Sequence, residues 1–358
     1  MRLRSVEVIP YALPFKEPYV TARGALQRRE MVLLRVRDED GVVGLGEAVP
    51  LSLRGGVTLV EVVRELEGWG EEQEVADLSA PARCAVEVAL MDLEGKRAEG
   101  NEAGKEEGDA TIPCNATLVA GPPKEVATEA ERWAADGFIT FKLKLGAESA
   151  KTGDMGRFSQ TRDADIAQVR AVREALGSGA RIRVDANEAW DLGAAKRTLA
   201  ELEPLGIELA EQPVTGLEGM AELAASTSIP LAADESVATL EEAERAVALG
   251  ACAYTGIKLS KVGGPETAVA IAGALPAYVT SALDGPVGIA AAAQVALSLV
   301  GTGDPERSEL AHGLATQRLF AATIASVECE LRDGTLHLPP GPGLGVEIDE
   351  EALEAHRL

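Results

Sequence analysis

From Thr111 onward, short apolar runs alternate with amphipathic helical segments at a nearly constant spacing, and this alternation is the feature that most restricts the fold. Strands that alternate with helices form right-handed βαβ units and therefore a parallel sheet. Eight strands with short connections favour a closed α/β barrel, with a doubly wound open sheet as the alternative. The eight runs begin at Ile112, Phe138, Arg181, Glu208, Pro230, Tyr254, Ala277 and Glu309.

The first 110 residues follow a different pattern. Apolar residues alternate in RSVEVIPYALPF and in MVLLRVRDEDGVVGLGEAVP, where Asp40-Gly41 is a hairpin signal, so we expect antiparallel strands. Helical patterns follow at 58–69 and 80–96. We therefore predict an α+β domain over residues 1–110, completed by strand-like segments at about 326–358, and a barrel over residues 111–325.

The charge of the chain excludes several classes of partner. It carries 58 Asp and Glu residues against 34 Lys and Arg residues, a net charge of −24. Such a chain is repelled by nucleic-acid phosphates and by anionic lipid, so we expect neither as a partner. The longest apolar stretch, Gly288 to Val300, is shorter than the ~20 residues of a membrane span and predicts a buried helix.

The N-terminus lacks the pattern of a signal peptide, and four scattered cysteines show no CxxC spacing. Both observations predict a cytoplasmic protein with reduced thiols. The oligomeric state does not follow from the sequence.

Active sites of α/β barrels lie at the C-terminal ends of the strands, and five consecutive predicted strands end in charged residues. Three carboxylates at one level on strands ~4.8 Å apart repel one another unless a cation lies among them. An all-oxygen ligand set suits Mg²⁺; helix capping or pairing with lysine is the alternative for each carboxylate alone. The charged residues are Lys142, Lys144, Asp185, Glu211, Asp234 and Lys258.

The lysines beside these carboxylates indicate which reaction the site could catalyse. Lys142 and Lys144 are two residues apart on a strand and so point to the same face, which we expect to be the barrel mouth. A buried lysine beside another cation has a lowered pKa and can act as a base. Lys258 comes from a strand roughly across the barrel. Lysines on both sides of a metal are suited to form an enolate next to a carboxylate and to stabilise it.

The motifs Lys142-x-Lys144, Asp185-x-Asn187, Glu211-Gln-Pro, Asp234-Glu235 and Lys258 with Gly263-Gly264 behind it resemble those of the enolase superfamily, specifically its muconate-lactonizing-enzyme subgroup. The resemblance implies a (β/α)7β TIM-like barrel with an α+β capping domain. It also implies one Mg²⁺, for which we expect Mn²⁺ to substitute, and removal of a proton next to the carboxylate of a small-molecule substrate. The metal ligands would be Asp185, Glu211 and Asp234.

The segment from Ser281 to Ala290, followed by Ala311-His312-Gly313-Leu314, looks like the o-succinylbenzoate synthases of menaquinone biosynthesis. That resemblance implies dehydration of a cyclohexadiene carboxylate that bears a succinyl chain. Lys144 would be the base and then the acid, and Lys258 would stabilise the enediolate by its charge. Substrate contacts are expected at Asn187, Ser281, Gly288 and Arg23.

Two other activities remain open. An N-acylamino acid racemase would use Lys144 and Lys258 as opposed bases. The dipeptide epimerases of the subgroup usually carry Asp-x-Asp after strand seven or eight, whereas strand eight here ends in His312-Gly313-Leu314-Ala315. A barrel that only binds a ligand would be expected to lack a metal ligand or a lysine, and none is missing. For His312 we expect a core or loop role.

Overall fold

The computed structural model describes residues 3–21, 24–50, 56–69, 74–99, 110–146, 158–300 and 310–358. Its N-terminal sheet is antiparallel, in the order β1 (Leu3–Thr21), β2 (Gly24–Asp38) and β3 (Val43–Ala48). The predicted hairpin at Asp40-Gly41 is confirmed: Gly41 has φ +89° and its N–H donates to the Asp38 carbonyl at 3.2 Å. Glycine adopts that left-handed conformation without a steric penalty.

Two helices pack on this sheet, α1 (Leu59–Gly68) and α2 (Ala80–Glu99), close to the predicted ranges. A capping box between Thr58 and Glu61 begins α1. Two glycines of β3 allow close packing on α2, because Cβ atoms at Gly44 and Gly46 would lie 2.1 and 1.9 Å from carbonyl oxygens of α2. The N-terminal sheet therefore rests directly on the α2 backbone.

A seven-stranded parallel sheet follows, in the spatial order β11-β10-β9-β8-β7-β6-β5. Its two edges meet at His312 and Gly313, which form parallel bridges to Cys114 beside β5 and to Thr280 beside β11. The sheet thus curls into a barrel-like ring. The strands are β5 (Asn115–Leu118), β6 (Thr140–Lys144), β7 (Arg181–Asp185), β8 (Ile207–Glu211), β9 (Leu231–Ala233), β10 (Tyr254–Ile257) and β11 (Ala277–Val279).

Two predicted strands differ from those observed. In the run that begins at Glu309, which itself lies outside the described residues, only His312 and Gly313 pair, because a 3₁₀ turn over Ala315–Leu319 follows at once. The run from Ile112 is split: β5 joins the barrel, whereas β4 (Thr111–Pro113) forms an antiparallel sheet with β14 (Thr335–His337) and β13 (Glu330–Arg332).

Helices connect the barrel strands and pack outside them. The stretch predicted as a buried helix lies in α10, where Val287, Ile289 and Ala290 are buried. Within the described residues, no helix combines the length and the apolar character needed to cross a bilayer. The helices are α3 (Pro123–Ala135), α4 (Phe158–Leu176), α5 (Leu192–Leu202), α6 (Leu217–Ala224), α7 (Leu240–Leu249), α8 (Leu259–Val262), α9 (Pro265–Ala274) and α10 (Pro286–Val300).

The C-terminal residues return to the N-terminal sheet. β12 (Ala325–Val327) pairs with β15 (Glu347–Ile348), and α11 (Glu350–His356) then contacts β1. The Leu358 N–H donates to the Pro10 carbonyl at 3.0 Å. These contacts lie where the sequence predicts completion of the N-terminal domain; the boundaries at residues 110 and 325 stay a prediction.

Candidate active site

The register of the parallel strands places the predicted charged residues at one height. Lys144, Asp185 and Glu211 are the last residues of β6, β7 and β8, and they are direct register partners. Asp234 and Lys258 lie just beyond the ends of β9 and β10. Along the sheet, the three carboxylates therefore lie between Lys144 and Lys258. We call these five residues and Lys142 the charged cluster.

Within the cluster, the lysines form ion pairs with the carboxylates. Lys142 Nζ lies 2.6 Å from both Glu211 carboxylate oxygens and 2.9 Å from Asp185 Oδ2. Lys144 Nζ lies 2.5 Å from the same Asp185 oxygen. Lys258 is hydrogen-bonded to Asp234 Oδ2, and Lys261 Nζ lies 3.0 Å from Asp234 Oδ1. Four ammonium groups thus face three buried carboxylates.

These contacts overturn the predicted lowering of the lysine pKa. Burial is the largest single influence and lowers the pKa of Lys144, but the surrounding negative groups, Asp185 first among them, together raise it above its ordinary value. The pKa of Lys142 is likewise raised, since the charges of Asp185, Glu211 and Asp234 together outweigh its burial. Lys144 is therefore an ammonium in this arrangement, and action as a base requires its pair with Asp185 to open.

The donor set fits a hard divalent cation. Asp185, Glu211 and Asp234 supply only carboxylate oxygens, and all three are buried. The Lys142 ammonium already lies within hydrogen-bonding distance of two of them, so a cation fits between these groups. Among the described residues, no three His, Cys, Asp or Glu side chains are already arranged so that they could hold a metal ion. The role of the three carboxylates as metal ligands stays a prediction.

The backbone turns sharply after two of the carboxylates. Asn187 and Gln212 have φ +45° and +36°, in the left-handed region that residues other than glycine rarely adopt. The Asn187 side chain accepts from Lys144 Nζ at 3.2 Å and donates to Glu235 Oε1 at 3.2 Å. The predicted substrate residue Asn187 therefore orients the ammonium of Lys144 in this structure.

Two further residues orient the carboxylates, and sequence reasoning missed both. Gln212 Oε1 accepts the Asp234 N–H at 2.9 Å, which fixes the start of the turn that carries this carboxylate. The Tyr278 hydroxyl donates to Glu211 Oε2, and Arg183 lies 5.0 Å from the Tyr278 ring centroid. Gln212 was recognisable as the neighbour of Glu211 in its motif. Tyr278 gave no signal, because only the closed sheet brings β11 near β8.

The segment after β11 combines contacts within itself and contacts with the N-terminal sheet. Residues 281–288, which we call the mouth segment, include the predicted substrate residues Ser281 and Gly288. Ser281 Oγ donates to Asp284 Oδ2 at 2.7 Å, and Gly288 lies against the carboxylate of Glu47. The fourth predicted substrate residue, Arg23, lies outside the described residues.

His312 is a core residue, as expected. Its Nδ1 accepts the Val279 N–H at 3.0 Å, next to the bridge that closes the sheet. Burial, together with the charge of Arg183, lowers the pKa of His312 to about 3. The ring is therefore neutral, and its role is to accept a backbone hydrogen bond.

Comparison with known proteins gives matches over almost the whole chain. Residues 3–101 match the family model "Mandelate racemase / muconate lactonizing enzyme, N-terminal domain", and residues 125–352 match "Enolase C-terminal domain-like". The o-succinylbenzoate synthase of Thermobifida fusca is 35% identical over 289 residues, which cover 79% of this chain and 83% of that protein.

Solved structures agree with these matches. The muconate lactonizing enzyme of Pseudomonas fluorescens, complexed with muconolactone, is 29% identical with a TM-score of 0.86 and 99% of each chain covered. The dipeptide epimerase of Enterococcus faecalis, complexed with Mg and the dipeptide L-Leu-L-Tyr, is 25% identical with a TM-score of 0.83, covering 97% of this chain and 100% of that one. With its charged cluster at the predicted strand ends and both family models matched, this chain belongs to the enolase superfamily, in its muconate-lactonizing-enzyme subgroup.

Proposed function

We propose that this protein is an o-succinylbenzoate synthase. It would dehydrate 2-succinyl-6-hydroxy-2,4-cyclohexadiene-1-carboxylate by Mg²⁺-dependent syn elimination of water, a step of menaquinone biosynthesis, on a (β/α)7β barrel with a capping domain. The observation that carries this choice is the end of strand eight, His312-Gly313-Leu314-Ala315, which offers no carboxylate for a substrate ammonium. The similarity to the Thermobifida fusca synthase supports the same choice.

The acidic residue after strand seven is also engaged. Asp284 is 6% exposed, and its carboxylate accepts from Ser281 Oγ and from the Ala282 N–H, each at 2.7 Å. Both bonds go to Oδ2 and come from the turn of Asp284 itself. A buried carboxylate held within its own turn is poorly placed to bind a substrate ammonium group. Epimerases of this subgroup usually carry Asp-x-Asp after strand seven or eight, and neither position holds that pair in this chain. Both observations favour a substrate without an ammonium group.

The two lysines would divide the reaction. With its pair to Asp185 open, neutral Lys144 removes the proton next to the carboxylate, and the electron pair of the C–H bond passes into the enediolate. Lys144 then returns the proton to the departing hydroxyl on the same side, so the C–O bond breaks and water leaves. Lys258 supplies positive charge throughout.

The remaining residues would hold the site together. Asp185, Glu211 and Asp234 would hold a divalent cation, which would supply positive charge where the substrate carboxylate gains negative charge. Lys142 compensates the charge of Asp185 and Glu211, and Asn187 orients Lys144 through its side-chain oxygen.

Racemisation of an N-acylamino acid is the second candidate, and one observation favours it. Lys144 pairs with Asp185 on one side of the cluster and Lys258 pairs with Asp234 on the other. This near-symmetry suits two bases that act on opposite faces of one carbon. The first step, proton removal next to a carboxylate, is common to both reactions.

A turnover assay separates these activities. The purified protein with Mg²⁺ would be given the cyclohexadiene substrate, a panel of N-succinylamino acids and a panel of dipeptides. We expect turnover of the cyclohexadiene, and Mn²⁺ is expected to replace Mg²⁺. Turnover of only the N-succinylamino acids would replace the synthase with the racemase, and turnover of only the dipeptides would replace it with the epimerase.

A further inference from the structure

Two buried charged residues of the N-terminal sheet contact the mouth segment at the end of the barrel where the charged cluster lies. Glu47 on β3 is 1% exposed and Arg29 on β2 is 7% exposed. Neither belongs to the charged cluster. Burying an ionised group is costly unless its partners compensate it, so the partners of these two residues indicate what they do.

The Glu47 carboxylate binds the backbone of the mouth segment. Its Oε1 accepts the Gly285 N–H at 2.6 Å, and the Gly288 N–H donates to the same carboxylate. Its Oε2 accepts from the Tyr11 hydroxyl at 2.9 Å, which fixes the carboxylate from the β1 side. Glu47 therefore links β1, β3 and the segment after β11.

Glu47 caps α10 from another sheet. Gly285 accepts the Ile289 N–H at 3.0 Å and is the residue before the helix, which begins at Pro286. Glycine has no side chain to accept the free N–H groups of the first turn, and proline has no N–H. The carboxylate of Glu47 takes the place of a local cap, at the helix end that favours negative charge.

The sequence of the mouth segment matches this contact. A Cβ atom at Gly285 would lie 2.3 Å from the Tyr11 hydroxyl oxygen and 2.7 Å from Glu47 Oε2. A Cβ atom at Gly288 would lie 2.7 Å from Glu47 Oε1. A larger residue at either position would force the Glu47 carboxyl group or the segment to shift and would disturb their contact.

Arg29 holds the other part of the segment. Its Nη2 donates to the Ala282 carbonyl at 3.1 Å and to the Pro50 carbonyl at 2.9 Å. Its charge also attracts the carboxylate of Asp284, which closes the turn with Ser281. The segment is thus bound at Ala282 by the guanidinium of Arg29 and at Gly285 and Gly288 by the carboxyl group of Glu47.

We propose that Glu47 and Arg29 are positioning residues, which set the mouth segment against the charged cluster and thereby control how substrate is bound. The mouth segment directly follows β11, and all the barrel strands are parallel, so it lies at the same end of the sheet as Lys144 and Lys258. This role is independent of whether the site dehydrates or racemises its substrate.

Hydrogen–deuterium exchange of the folded protein tests the proposal without substrate. In Glu47→Ala, amides of residues 281–288 should exchange about tenfold faster, as expected when backbone groups lose one net hydrogen bond. In Glu47→Gln, which keeps one acceptor oxygen, exchange should stay near that of the wild type. Unchanged exchange of this segment in a folded Glu47→Ala protein would refute the positioning role.

Asp92→Ala is the matched control. Asp92 is another fully buried carboxylate near this sheet, and it accepts backbone N–H groups of Leu45 and Leu344 at 2.8 and 2.7 Å, not of the mouth segment. Its loss should leave exchange of residues 281–288 unchanged. An equal increase in Asp92→Ala would show that the response reflects general loosening and would refute the specific role of Glu47.

Kinetics give a second readout on whichever substrate the wild type converts. Glu47→Ala should raise KM by more than it lowers kcat, because the charged cluster keeps its own contacts. Should this variant not fold, Tyr11→Phe and Arg29→Lys each remove part of the same contacts and should change exchange and KM in the same direction. Wild-type values for both readouts in these two folded variants would overturn the proposal.

Discussion

The charged cluster and the mouth segment lie at the same end of the barrel strands, but they are positioned by different means. In the cluster, the backbone register of the strands sets the relative heights of the side chains, since Lys144, Asp185 and Glu211 are partners on adjacent parallel strands. The mouth segment instead depends on Arg29 and Glu47, which come from another sheet more than 200 residues earlier in the sequence. Strand register follows from the local sequence pattern. Contacts between the mouth segment and side chains that are distant in sequence do not.

This difference separates the chemistry from the specificity. Proton abstraction needs lysines and carboxylates at fixed heights, and a parallel sheet supplies those heights. Selection of a substrate needs a surface that can vary, and a segment held by side chains varies without disturbing the sheet. The family relationship therefore follows from the cluster, while the substrate depends on residues whose partners are distant in sequence.

Removal of the metal should have the largest effect, and it tests whether the charged cluster binds a cation that the reaction needs. Exhaustive chelation should abolish turnover, and Mg²⁺ or Mn²⁺ should restore it. Because the cation binds only the folded state, saturation at about 100 times Kd should add about 2.7 kcal/mol to the free energy of unfolding. Asp234→Asn should lose both effects, as measured by calorimetric Mn²⁺ titration and thermal unfolding. Full activity after chelation would rule out the metal site.

The two lysines should differ when each is replaced by arginine. Guanidinium keeps the charge but does not act as a base, so Lys144→Arg should lower dehydratase turnover by about 10³-fold or more. Lys258→Arg should keep measurable turnover, since Lys258 need only supply charge. The comparison is made at equal metal saturation, with solvent deuterium exchange at the substrate α-carbon as the companion assay. An active Lys144→Arg enzyme would contradict the synthase mechanism.

Sequence reasoning succeeded where a residue's neighbours are set by strand order. The alternation of strands and helices predicted the parallel sheet, and the strand ends predicted the charged cluster. It failed for the lysine pKa, because Asp185 lies 2.5 Å from Lys144 and, with the other negative groups nearby, outweighs burial and the second lysine. It also failed for Glu47, whose glycine-rich surroundings gave no indication of a contact with Gly285.

Glu47 should make the free energy of unfolding depend on pH, and replacing Glu47 isolates its share of that dependence. Burial, with the charge of Asp284, raises the pKa of Glu47 to about 7 from an ordinary value of 4.5. Between these values the folded state keeps a proton that the unfolded chain releases, so the free energy of unfolding falls as pH rises, by about 3 kcal/mol in total. Glu47→Gln cannot titrate and should lack this fall. Urea unfolding of both proteins at several pH values between 4.5 and 8 measures it; parallel profiles would contradict the assignment.

A pair of glycine substitutions should give the smallest effects on the free energy of unfolding, with opposite signs. They test whether the mouth segment is held closely against Glu47. Gly285→Ala places a methyl group against Tyr11 and Glu47 and should lower the free energy of unfolding by about 1–3 kcal/mol. Gly273→Ala lies within α9, where a Cβ atom would meet nothing within 4 Å, and should raise it by about 0.5–1 kcal/mol. Equilibrium unfolding in urea measures both. Because Gly273 is an exposed residue of α9 whereas Gly285 contacts Tyr11 and Glu47, Gly273→Ala should leave KM unchanged while Gly285→Ala raises it. Equal and small effects of the two substitutions would mean that the mouth segment yields to the added methyl group and is not held by Glu47.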